Sequence, residues 1–430
     1  MPIPWTMYQT GTRWADQFLL AKPEKQLAGE SSSDPGTVPL DEAVRIVRSI
    51  AYKTGTETIP TDEADGRTLS ESIYALNDIP GFDRATMDGF AIISSDTADA
   101  TSRSCILTLI GSVRKGLSSI SHLYPGQAVS IQTGGKLPEG ADTVVLADDC
   151  VVQGDRITVK NPVPPGCNII RRDEDFRKGD PVYPTGWILR PQDIAVLASI
   201  GRIRVKVRKK PVIGIISTGR ELVPSESIPK SGEVREVNSY LVTAFCKRQG
   251  AIPVRYGIIR DDAEELTNLI EQASQECDAI IVSGGSSRDE HDITAQVIHK
   301  LGKVYTEGIS FAPEKRTTIG QIDSVLVIGL PGHPSATFMV LTLVVIHLLQ
   351  AMKGSPNQPV YRKFIRLTDN LHASRESDRY IRVTITDDQA TPVFGKAGLI
   401  HMLSQSDGIV KIPAGSKGFS IGDRVEVMIW

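Results

Sequence analysis

The sequence predicts a multidomain α/β plus β protein, with a parallel α/β domain flanked by two β-rich regions. Three stretches carry this reading. Between Lys210 and Gly354, nearly all-apolar runs such as PVIGIIS, AIIVS and SVLVIGL alternate with helical segments, the texture of a parallel sheet covered on both faces. From Asp78 to Asp180 the chain breaks into short β-like runs punctuated by Gly and Pro, among them CILTLIGSV, QAVSIQTG and RITVKNPV, with no long helix between them. After Ser355–Pro359 the tail is again β-like, in KFIRLTD, RYIRVTI, GIVKIP and RVEVMIW, and reads as a small barrel or sandwich.

A chain of 430 residues and 46.7 kDa is too long for one core, so two to four domains are expected. Residues 1–38 read as a flexible N-terminal arm, because GESSSDPG is built of turn and disorder formers. VPLDEAVRIVRSIA then predicts an amphipathic helix capped at Asp41 or a neighbour, with Val44, Val47 and Ile50 on its apolar face. Residues 39–77 and 180–208 form a body around the inserted β-rich domain, residues 78–179. The second body piece includes a helix with Pro191 in its first turn. The α/β domain covers 209–354 and the C-terminal β domain 355–430.

A net charge of −3 and a pI near 6.2 argue against a nucleic-acid footprint. KVRKK, Lys206–Lys210, is the densest basic run and reads as a solvated strand end. Five scattered cysteines without a C-x-x-C pair point to a reducing cytoplasm rather than a disulfide framework. The run Phe338–Met352 is too short to span a bilayer and contains a histidine, so it reads as a buried helix.

Ligands of open parallel sheets bind beyond the carboxyl ends of the strands. Three Gly-containing loops fall there: Ser217-Thr218-Gly219, Ser283-Gly284-Gly285-Ser286-Ser287 and Pro331-Gly332. The last two lead into helix N-termini, which attract anions, although strand-to-helix turns need Gly, Ser and Pro in any case. Acids follow closely at Glu221, Asp261 and Asp292, and a hard cation such as Mg²⁺ would reconcile them with phosphate. Each acid taken singly is more readily a helix cap, Asp292 above all. In the β-rich region, Met87-Asp88-Gly89, Thr133-Gly134-Gly135 and the charged stretch NIIRRDEDFRKGD read as polar turns.

The motifs PGFDRATMDGFAI, IQTGGKLPEGADTVV, NIIRRDEDF, GIISTGREL, IIRDD, VSGGSSRDEHD and VIGLPGHPSA, in that order, resemble the molybdopterin molybdenumtransferase family. This family is known as MoeA and as the C-terminal part of gephyrin. The resemblance spans Val38 to Trp430. It implies a molybdopterin-binding type of α/β domain, an inserted β-rich domain and a C-terminal β-barrel. It also implies homodimers whose site is shared between chains, and a molybdopterin-adenylylating protein as upstream partner. The activity implied is insertion of molybdenum from molybdate into adenylylated molybdopterin, with release of AMP and assistance from Mg²⁺.

By motif, the resemblance assigns catalysis to Asp261, Asp292, Glu221 and Asp88, the first three also serving the metal. It assigns ligand binding to Thr133, Asp175, Ser217, Thr218, Gly219, Ser283, Gly284, Gly285, Ser287, Lys315, Pro331, Gly332 and Arg375, with Arg379 nearby. Departures from the family pattern fall at Asp289, Ala312, Glu314, Arg220, His333 and Ala397. Loss of a lysine at Ala312 and gain of Glu314 weaken the hold on a polyanion, which Arg220, Arg288 or Arg316 would offset. His333 reads as a ligand contact or, in preference, a turn residue packing against Pro331. A second reading is a paralogue that binds the cofactor without turnover, as carrier or sensor. A third is a scaffold using the dimer groove for peptides. Retained Asp88, Glu221, Asp261 and Asp292 favour the enzyme.

Overall fold

The computed structural model describes residues 36–100, 105–116, 120–284, 292–312, 316–355, 361–395 and 398–430. Gly285 to Glu290, Glu314, Lys315 and Ala397 therefore lie outside the described residues, as does the expected arm up to residue 35. The end of that arm is a strand. Thr37–Pro39 pairs in parallel with Gly308–Ala312, Thr37 opposite Gly308.

The α/β domain is built on six strands. Four run parallel, in the order Ile252–Ile259, Val212–Thr218, Ala279–Gly284, Val325–Leu330. A ribbon of Thr318–Ile322 and Lys303–Thr306, not anticipated from sequence, extends the far edge in antiparallel fashion. Helices Asn238–Arg248, Ala263–Glu276 and Ile293–Leu301 fall where the 3.6-residue periodicity put them. One face of the sheet packs Ile213, Ile281 and Ile328 against Val340, Val344 and Leu348; the other packs Ile216, Ile280 and Val327 against Leu266, Ile270 and Ile298. Each such fully buried aliphatic side chain contributes about 1.5–3 kcal/mol.

The apolar helix is longer than the quoted run. It spans Pro334–Met352, 19 residues with a π turn at Leu341–Val345, which is long enough to cross a membrane by length and composition alone. Most of it is buried in this core.

The helix Leu40–Ile50 corrects two expectations. Its N-cap is Pro39, with no side-chain cap bond. Of the expected apolar face, Val47 is fully buried beside Ala43 and Ile50 packs half-buried against the same core, while Val44 does not join it. It also leaves the body: Ala43 and Val47 pack into the α/β core with Ile213 and Leu348. Arg48 Nη2 lies 2.9 Å from His347 Nδ1, and burial together with Arg48 holds that imidazole below its ordinary pKa. The remaining body residues form their own cluster around Leu69, Ile73, Leu189, Leu197 and Val207. There Pro191 starts the helix Pro191–Ser199, and Asp193 accepts from the Arg190 backbone at 3.0 Å.

The inserted domain carries one six-stranded sheet, with Gly89–Ile92 between Thr143–Leu146 and Gln127–Ile131. Gly89 is required here, because a Cβ on it would sit 1.9 Å from the Val145 carbonyl oxygen. The C-terminal strands close into a barrel: Asp378–Thr386 pairs with Gln389–Pro392 on one side and Gly408–Ile412 on the other, and Arg362–Leu367 and Arg424–Ile429 complete the ring. Gly308–Ala312 joins the barrel to the α/β domain through Phe311, which pairs with Asp378 and meets Tyr380 edge-on at 5.7 Å. All five cysteines are free.

The parallel strands stop at one level: Ser217 stands opposite Ser283, and Ser283 opposite Leu330. Gly284 makes this possible. Its φ is +100°, and a Cβ there would lie 2.0 Å from the Thr218 carbonyl oxygen. Gly284→Ala is expected to cost on the order of 2–4 kcal/mol through strain and forced strand separation. Denaturant unfolding checks this; a loss under roughly 0.5 kcal/mol, the range of neutral substitutions, would show that the strand ends are free to part.

Candidate active site

Beyond the carboxyl ends of these strands lies a cleft of about 550 Å³. Thr218 and Glu221 line one side, Ser283 and Gly284 the floor, Gly332 and His333 the other side, and Ile400 approaches from the barrel. The prediction that the three Gly-containing loops share one edge of the sheet is thus met by Thr218, Ser283, Gly284, Pro331 and Gly332. Ser217 is buried behind this surface. Gly219 leaves room for its neighbours, since a Cβ there would meet Leu222 Cγ at 2.9 Å and Glu221 Oε2 at 3.0 Å. Gly285, Ser287 and Lys315 lie outside the described residues.

The acids separate into different roles. Glu221 is exposed on the cleft wall. Asp261 is half-buried; its Oδ1 accepts from Thr218 Oγ1 at 2.9 Å, and its Oδ2 is 3.9 Å from Arg220 Nε. Asp292 caps the helix Ile293–Leu301, Oδ1 accepting from the Ala295 amide at 3.0 Å. Burial pushes its pKa above the ordinary carboxylate value, Glu307 adds to this, and the Ala295 amide opposes it. Among the described residues no group of three His, Cys, Asp or Glu side chains is placed to hold a metal ion. Glu221, Asp261 and Asp292 therefore do not make a ready-built cation site.

In the inserted domain the structure joins Asp88 to Thr133. Asp88 Oδ1 accepts from the Thr133 amide at 2.6 Å and from Thr133 Oγ1 at 2.8 Å. These two bonds hold the Asp88 carboxyl below its usual range. Asp175 is exposed, its amide donating to the Ile79 carbonyl at 3.0 Å. Its neighbours Asp173 and Glu174 line a second concavity, also about 550 Å³, together with Arg171 and Arg177. None of Asp88, Thr133 and Asp175 lines the first cleft. In the barrel Arg375 is exposed, and Arg379 donates to the His372 carbonyl at 2.6 Å beside Ala312.

Two residues carry no local signal in the sequence: Asn238 and Glu236, both buried, line the cleft, Asn238 as the first residue of the helix Asn238–Arg248 and Glu236 just before it. Glu236 accepts from the Ser239 amide at 2.7 Å and from its hydroxyl. His333 is exposed and lines the cleft beside Pro331. Arg316 lines the cleft as well, where a cation offsets the charge lost at Ala312.

Fold and cleft define a multidomain α/β enzyme scaffold with its site at the carboxyl edge of a parallel sheet. Three family models match in succession: "MoeA N-terminal region (domain I and II)" over residues 38–201, "Probable molybdopterin binding domain" over 214–351, and "MoeA C-terminal region (domain IV)" over 365–430. The molybdopterin molybdenumtransferase of Bacillus subtilis is 30% identical over 403 residues, covering 91% of this chain and 94% of that protein. That of Staphylococcus aureus is 29% identical over 401 residues, covering 91% and 95%. The crystal structure of the molybdopterin biosynthesis MoeA protein from Pyrococcus horikoshii OT3 superposes with a TM-score of 0.82 at 31% identity, covering 92% of this chain and 100% of that one. The chain belongs to the molybdopterin molybdenumtransferase family, and is a transferase of molybdenum cofactor biosynthesis.

Replacing Thr133 by Val removes the hydroxyl donor to Asp88 while keeping the amide. The Asp88 pKa is expected to rise toward the ordinary value, as read by carboxyl carbon NMR against pH. An unchanged titration would show that the hydroxyl contact is not held in solution.

Proposed function

We propose that the chain takes adenylylated molybdopterin and molybdate, places molybdenum on the dithiolene sulfurs and releases AMP. The observation that carries this reading is the cleft at the sheet edge, lined by Thr218, Glu221, Ser283 and Gly332, in a chain similar to named molybdenumtransferases over 91% of its length. The phosphate-bearing ligand would lie over the strand ends, where Ser283 and backbone N–H groups offer donors and Arg316 a positive charge. Asp261, oriented by Thr218, and Asp292 would act in adenylate cleavage, with Glu221 on the wall of the cleft.

Mg²⁺ fits this arrangement only as a companion of the substrate's own phosphates, which supply oxygens the three carboxylates do not gather by themselves. Asp88, Thr133 and Asp175 lie outside the cleft of their own chain. This supports a homodimer in which they complete the partner subunit's site. Arg375, exposed on the barrel, and Lys315 would add positive charge toward the ligand. The upstream partner would be the protein that adenylylates molybdopterin, and the compartment the cytoplasm, in keeping with five free cysteines.

The test supplies purified protein with adenylylated molybdopterin, molybdate and Mg²⁺ and follows AMP. AMP release that depends on all three is expected. Tight binding without AMP would return the protein to the carrier reading. Asp292→Asn keeps a good helix cap and is expected to stay folded while turnover falls at least about tenfold, the low end for a lost acid–base or electrostatic group. An unchanged rate would leave Asp292 as a cap alone.

A further inference from the structure

Asn238, the first residue of the helix Asn238–Arg248, is 6% exposed and lines the cleft. Its side-chain nitrogen donates twice, to Ser283 Oγ and to the Gly332 carbonyl, each at 2.8 Å. The Gly332 carbonyl can only accept, so the amide orientation is settled by chemistry: NH₂ toward Gly332, oxygen away. Both N–H groups are thereby used. The oxygen, Oδ1, is buried and has no partner among the described residues.

A buried acceptor without a donor is destabilising and calls for an explanation. The strand register adds a second such atom on the residue opposite Ser283. Ser217 Oγ, opposite Ser283 on the neighbouring strand, is likewise buried and unpartnered among the described residues. Two residues with unsatisfied polar oxygens, Asn238 and Ser217, thus neighbour Ser283, one through a hydrogen bond and one through the strand register. Ser283 Oγ, having accepted from Asn238, still has its own proton to give.

We propose that Asn238 is a specificity-determining residue of this cleft, its Oδ1 accepting a hydrogen bond from a ring N–H, amino or hydroxyl donor of the bound ligand while its NH₂ locks the Ser283 strand end to the Gly332 turn. The ligand chemistry is a flat heterocycle or sugar edge that presents a donor beside an acceptor, the acceptor being met by the Ser283 hydroxyl. This rests on the cleft being the ligand site of the proposed function and adds which ligand feature it reads. A pterin ring and an adenine nucleoside both carry such an edge.

Neutral probes separate this role from phosphate binding, so the full-length protein is titrated calorimetrically with neopterin and with adenosine. In Asn238→Ala the acceptor and the lock are both lost. In Asn238→Asp an acceptor oxygen of the same reach is kept and the donors are lost. At least one probe is expected to bind wild type, to lose tenfold or more in affinity in Asn238→Ala, and to return to within threefold of wild type in Asn238→Asp. The probe affected identifies the half of the substrate seated here. Equal losses in both variants would make Asn238 a structural lock only and overturn the proposal. So would affinities unchanged in Asn238→Ala, or wild type binding neither probe at millimolar concentration. Thermal melts of both variants guard against misfolding. If Asn238→Ala does not fold, Asn238→Asp is compared with wild type directly: a loss of tenfold or more overturns the proposal, and affinity within threefold upholds it. AMP release by wild type is measured in parallel, so that failure of this inference and failure of the metal-insertion reading are told apart.

Discussion

The close approach of two backbones at Gly284 is the constraint on which the site depends. Thr218's carbonyl oxygen occupies the space where any other residue would place Cβ, so the strands Val212–Thr218 and Ala279–Gly284 remain paired to their last residues. The parallel strands consequently end on one plane, and the loops that leave them turn away at the same height. Only with that alignment can one side chain, Asn238, reach both the Ser283 hydroxyl and the Gly332 carbonyl. The same alignment turns the Thr218 hydroxyl toward Asp261 at the end of the next strand.

Across the chain, carboxylates are tuned by burial and hydrogen bonding rather than by sequence proximity. Asp88 is exposed and held ionised by two donors from Thr133, whereas Asp292 is half-buried at a helix cap with its proton affinity raised. Two carboxylates of one chain are thus tuned in opposite directions by hydrogen bonding and desolvation. Glu221 stays exposed at the cleft wall, with Arg316 lining the same space. A cleft with both signs of charge suits a ligand that carries phosphate at one end and neutral heterocycles elsewhere.

Much of this could be read from the residues. The strands PVIGIIS and SVLVIGL declare themselves by unbroken apolar runs, and their placement needed no partner information. The gathering of Thr218, Ser283 and Gly332 followed from the general rule for parallel sheets. What stayed hidden depends on long-range packing. The apolar stripe of Leu40–Ile50 is the same whether it covers the body or the α/β sheet, and contact with Ile213 and Leu348 decides it. The Lys303–Thr306 and Thr318–Ile322 ribbon is short, with Gly and Gln interrupting its pattern. Asn238 looked like an ordinary helix start, because nothing local tells that its amide bridges residues 45 and 94 positions away. The separation of Glu221, Asp261 and Asp292 was equally invisible, since residues on one sheet edge need not point into one space.

A ligand seated over the strand ends would be held by backbone and side chains of all three loops. Amide hydrogen exchange of the full-length protein, with and without saturating AMP, reads this out. Slowed exchange is expected at Thr218–Leu222, at Ser283 and Gly284, and at Gly332–Thr337, with the outer strand Cys105–Val113 unaffected. Protection confined to the inserted domain or the barrel, with the strand ends unchanged, would place the ligand elsewhere.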